Sequence, residues 1–109
     1  MSLSQADMAF ARELFGDIPD LTTRRMFGGM GLYSGGTIFG VQLSDGRIML
    51  KAVKGPFADR MSDLGGEEWT TMRKDGTPSA MPYWTLPDAY LDDPEQASAL
   101  AFEALAALR

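Results

Sequence analysis

The chain contains no cysteine and no histidine. Without cysteine there can be no disulfide, no thiolate nucleophile and no thiolate-bound metal. Without histidine the commonest general base and the commonest metal ligand are missing, and a Ser–His–Asp triad cannot be assembled within the chain. No apolar run approaches the ~20 residues that span a bilayer, and no N-terminal stretch pairs a basic with an apolar region as a secretory signal does. These gaps point to a non-enzymatic, cytoplasmic protein with no cofactor, no bound metal and no membrane partner. Repeats, low-complexity tracts and linkers are absent as well, so the 109 residues read as one domain over residues 1–109.

What is present is acidic on balance. The formal net charge is −5, which argues against direct nucleic-acid binding, because cationic surface supplies most of that affinity. The charge is unevenly placed. Residues 22–54 hold Arg24, Arg25, Arg47, Lys51 and Lys54 against Asp45 alone, and the acids gather elsewhere.

The hydrophobic spacing gives an order of elements. "SQADMAFARELFGDI" reads as a helix capped by Ser4, with Met8, Phe10, Ala11, Leu14, Phe15 and Ile18 on one broad face. "LTTRRMFGGMGLY", "TIFGVQLS" and "RIMLKAV" read as a three-strand meander from about residue 22 to 53, with a hairpin turn at Asp45-Gly46. "GPFADRMSDLGG" reads as a short helix opened by Pro56 and closed by Gly65. "EEWTTMR" and "SAMPYWTL" form a second strand pair around Asp75-Gly76, the latter confined by Pro78 and Pro82 to an edge or a bulge. "DPEQASALAFEALAALR" is the strongest helix, with Asp93 as N-cap, Pro94 at the first position and Phe102 off its apolar stripe. The expected fold is α+β: an antiparallel sheet of about five strands, with N- and C-terminal helices packed on it.

One run stands out as a candidate site. In "RRMFGGMGLY", Gly28, Gly29 and Gly31 allow close backbone approach, and consecutive amides beside Arg24 and Arg25 could cradle an anion. A phosphate loop, however, opens a helix, and a Walker sequence needs Gly-Lys-Ser/Thr. Here a strand follows and the lysine is missing, so the competing reading is a bulge or a glycine-lined strand face against which a helix packs closely. Gly29 and Gly31 share a face by alternation, whereas Arg24 and Arg25 diverge: one faces solvent, the other lies near the helices and needs a partner. The second unusual run, "MPYWTLPDAY", offers Tyr83, Trp84 and Tyr90, residue types favoured at binding hot spots. The adjacent acids Glu67-Glu68 and Asp92-Asp93 form no acid/base pair. The eight methionines suit adaptable packing.

"RRMFGGMGLY" and "MPYWTLPD", in that order and followed by the acidic-then-Ala/Leu terminal helix, resemble the N-terminal domain of the TfoX/Sxy family, bacterial regulators of competence. Arg24, Arg25, Met26, Phe27, Gly28, Gly29, Gly31 and Tyr33 carry the first motif; Met81, Pro82, Tyr83, Trp84 and Pro87 carry the second. The resemblance implies a domain that regulates transcription by co-activation beside the cyclic-AMP receptor protein. It also implies a helical C-terminal domain in full-length members, which is not expected in a chain that stops at Arg109. It supplies no catalytic residues. The expected function is therefore a competence or transcription co-regulator acting by protein–protein contacts. Its partner would belong to the transcription machinery, with a homodimer as a further option. The expected contact residues are Arg24, Arg25, Gly28, Gly29, Gly31, Tyr33, Lys51, Lys54, Tyr83 and Trp84. The alternative is a small-anion or small-ligand module built on Arg24, Arg25 and residues 28–31.

Overall fold

The computed structural model describes residues 3–26 and 28–109. Phe27 of the first motif lies outside them. The helices are α1 (Gln5–Leu14), α2 (Pro56–Asp63) and α3 (Pro94–Leu108). The strands are β1 (Leu21–Met26), β2 (Gly29–Ser34), β3 (Thr37–Gln42), β4 (Ile48–Lys51), β5 (Glu68–Met72) and β6 (Pro78–Thr85). All six form one antiparallel sheet in the order β1-β2-β3-β4-β6-β5. The α+β class is as the pattern predicts. The sixth strand arises because residues 21–33 do not run straight. Gly28, at φ 79°, sits where the chain folds back, and β1 and β2 pair as neighbours.

Local chemistry sets the boundaries. The Asp7 N–H donates to Ser4 Oγ at 3.0 Å and opens α1. The Gln96 N–H donates to Asp93 Oδ1 at 3.1 Å and opens α3, with Pro94 in its first turn. Pro56 starts α2, and Gly65 follows its end at φ 94°. The Asp-Gly turns repeat one geometry. Leu43 N–H donates to Arg47 O and Gly46 N–H to Leu43 O in the first; Arg73 N–H donates to Thr77 O and Gly76 N–H to Arg73 O in the second. Because Asp93 satisfies an otherwise orphaned N–H, Asp93→Ala is expected to cost about 1 kcal/mol, or roughly 4–5 °C in a thermal melt.

The helices cover one face of the sheet. α3 lies against β3 and β4, α1 against α3, and α2 against β6 and α3. At the centre Phe15 and Phe39 meet edge to face, with centroids 5.5 Å apart. Ala97, Leu100, Ala101, Ala104 and Leu105 bury the expected stripe of α3, and the Ser98 hydroxyl in the same interface donates to Leu14 O. Phe10 departs from expectation. It is 42% exposed, because it lies about 200° round the helix from Met8 and so on the opposite side. Phe102 is likewise exposed. The proline-bearing strand is not an edge. β6 lies between β4 and β5, and the bulge alternative accounts for Pro82: register shifts between Glu68↔Trp84 and Thr70↔Ala80. That leaves β6 with surplus residues, among which a missing N–H does no harm.

Candidate functional site

The register decides what each face of the sheet carries, because directly paired residues project to the same side. One set of rows is Arg25–Met30–Gln42–Ile48 and Thr23–Leu32–Gly40–Leu50–Trp84. This side meets the helices. Leu32, Leu50 and Ile48 belong to the core, Thr23 Oγ1 accepts from the Arg12 guanidinium, and Gln42 Nε2 donates to Asp7 O. The alternate rows are Arg24–Gly31–Val41–Met49, Thr22–Tyr33–Ile38 and Lys51–Tyr83. They project away from the helices.

This second side is apolar although no helix of the described residues lies on it. Met49 and Val41 are buried within it, outside the cluster that meets the helices. Met26, Tyr33, Trp69, Met81 and Tyr83 are half-buried around them. Trp69 and Tyr83 pack edge to face at 6.1 Å. Between β1, β3 and the far strands lies a cleft of about 410 Å3, lined by Met26, Gly29, Val41, Trp69, Met81 and Tyr83, with Ser44, Asp45 and Arg47 at its polar end. At that end Asp45 accepts from the Arg47 backbone N–H at 3.0 Å and from Arg47 Nε at 2.9 Å. These bonds, the backbone one foremost, hold the Asp45 carboxyl below its ordinary value of 3.8.

Burial, with a smaller contribution from the nearby Tyr33, pushes the Tyr83 phenol above its ordinary value of 10.0. A raised folded-state pKa means that the folded protein holds this proton more tightly than the unfolded chain. The associated stability is complete below pH 10 and is lost as pH climbs through the folded value. In an ultraviolet tyrosinate titration one of the three tyrosines is expected to ionise late, and Tyr83→Phe is expected to remove that step.

The candidate residues divide between the two sides. Arg24, Gly29, Gly31, Tyr33, Lys51 and Tyr83 share the helix-free side; Arg25 and Trp84 belong to rows on the other. Gly28 and Lys54 lie in turns flanking β2 and α2. Two expectations need correction. No helix packs against the glycines: a Cβ added to Gly29 would meet the Gln42 carbonyl, and one added to Gly31 would meet Met26 Cε at 2.8 Å and Tyr33 Cε1 at 2.9 Å. Nor does either arginine lie inside near the helices. Both are exposed because β1 is a sheet edge, and among the described residues neither guanidinium makes an ion pair or hydrogen bond. The amides of β2 are engaged in ladders to β1 and β3 rather than gathered into an anion-binding nest.

Sequence alone does not single out Met26, Trp69, Met81 or the 43–47 turn as site residues. The sequence signal for a covered second face is the near-continuous apolar character of "GMGLY", "TIFGVQL" and "IMLKAV", which marks strands buried on both faces rather than one, but Met26, Trp69 and Met81 lie outside these runs. A second, larger concavity lies between residues 45–48, 64–67 and 85–91, and is bordered by Asp7, Asp45, Glu67 and Asp88. Among the described residues no cluster of three or more acidic side chains is placed to hold a metal ion, and no helix is long and apolar enough to cross a membrane.

No curated protein matches the chain. A family model does: the TfoX N-terminal domain matches residues 13–108, which include both signature runs, every strand and α3. The chain therefore belongs to the TfoX N-terminal domain family.

Proposed function

We propose that the domain is a non-enzymatic co-regulator of transcription, of the competence-regulating kind, that works by contacting another protein through the helix-free side of its sheet. The observation that carries this reading is the composition of that side. Tyr33, Trp69, Met81 and Tyr83 are half-exposed together, and Arg24 and Lys51 share their side without a carboxylate partner among the described residues. Aromatic anchors bordered by unpaired cations suit a protein surface that presents an apolar patch edged with carboxylates. The family membership supports a regulatory domain of this type. The acidic remainder of the chain disfavours a direct grip on DNA.

The test is affinity capture from a bacterial lysate at physiological salt. A transcription component is expected to bind the wild-type domain. Its capture should be lost with Arg24→Glu combined with Lys51→Glu, and kept with Arg60→Glu, which disturbs only the exposed α2–α3 ion pair to Glu103. Capture that ignores the double reversal, or that never includes a transcription component, rules the reading out.

A further inference from the structure

We propose that the cleft beside Gly29 is a binding site for a small planar aromatic molecule that carries one anionic or hydrogen-bond-accepting group. Its volume of about 410 Å3 falls within the ~300–1,000 Å3 of small-ligand pockets. Its walls come from paired strands, so it is formed in advance. Trp69 and Tyr83 supply ring surface, held at a fixed edge-to-face angle of 66°. Met26 and Met81 supply thioethers, which adapt to an aromatic guest and attract its edge. Gly29 lines the cleft with backbone alone.

The polar end selects the guest's head group. Arg47 uses Nε on Asp45, and no hydrogen bond occupies its two terminal nitrogens among the described residues. They and the Ser44 hydroxyl can donate to a carboxylate or carbonyl. Asp45 offsets the arginine's charge, so the end suits one acceptor and disfavours a multiply charged anion such as phosphate. This site goes beyond the protein-contact reading and does not rest on it.

The test uses the purified domain, carbon-13 labels on the methionine methyls, and three probes: naphthalene-2-carboxylate, 2-naphthol and inorganic phosphate. Both naphthalenes are expected to shift Met26, Met81 and the Trp69 indole N–H saturably. Met8, Met61 and Trp84, on the helix side, should stay still. Phosphate should move none of them. Arg47→Gln is expected to weaken the carboxylate about tenfold and the naphthol by no more than about twofold, as befits one charge-assisted bond. Met81→Glu should abolish both, with the helix-side signals confirming an intact fold. The proposal is overturned by any of three results: no saturable shift up to the probes' solubility, equal shifts on the helix side, or cleft signals that respond to phosphate. It is also overturned if cleft signals follow protein concentration instead of probe, which would make the face a contact between copies of the chain.

Discussion

Gly29→Ala is expected to destabilise the domain by about 3 kcal/mol, roughly 13 °C in thermal midpoint. A Cβ at this position would run into the carbonyl oxygen of Gln42, and Gln42 C and Leu43 Cα lie close behind at 3.3 Å. All of these atoms are backbone, fixed by the β2–β3 ladder, so no rotamer change relieves the contact. Gly31→Ala is the control. Its Cβ would meet Met26 Cε and Tyr33 Cε1, the far ends of side chains that can swing aside, and about 1 kcal/mol is expected. Chemical denaturation of the two variants decides the matter, since equal losses would refute the backbone argument. The contrast also separates two glycines that look alike in "GGMG".

Phe39→Ala is expected to cost more, about 4 kcal/mol. Phe39 is fully buried and stands edge to face against Phe15. Its position depends on a local irregularity. Leu32 pairs with Gly40 but Tyr33 pairs with Ile38, so Phe39 is an extra residue in β3. The bulge turns its ring to the helix side beside Gly40, where strict alternation would have sent it the other way. Truncation leaves a cavity where α1 and α3 meet the sheet. In a domain whose total stability is of order 5–15 kcal/mol, such a loss should bring the variant close to unfolding at growth temperature. Phe39→Leu, which keeps much of the buried area, should lose less than half as much. A urea titration comparing the two provides the check.

These two positions show what can be read from sequence and what cannot. The helix caps at Ser4 and Asp93, the Asp-Gly turns, the core stripe of α3 and the α+β order follow from short-range chemistry, and the structure agrees with each. The β1–β2 turn does not follow, because a glycine run fits a continuous strand as well as a reversal and only pairing distinguishes them. Phe39's orientation does not follow either, since a bulge depends on the partner strand. The same holds for the site. Alternation separates Arg24 from Arg25, and Tyr83 from Trp84, but it cannot say which side the helices occupy. Once α1 and α3 settle on the Leu32–Leu50 side, Tyr83, Lys51 and Arg24 fall together and Trp84 turns inward. Trp69 joins Tyr83 only through the pairing of β5 with β6, a contact between residues 14 positions apart whose register is shifted by the bulge.

The most direct test of the account is photo-crosslinking in bacterial cells with a benzoylphenylalanine at Tyr83, set against the same group at Phe102. Both are aromatic positions accessible to solvent, but Tyr83 faces the helix-free side whereas Phe102 lies on the outer surface of α3. The account predicts an adduct with a transcription component from Tyr83 and none from Phe102. An adduct from Phe102 alone, or none from Tyr83, would contradict it.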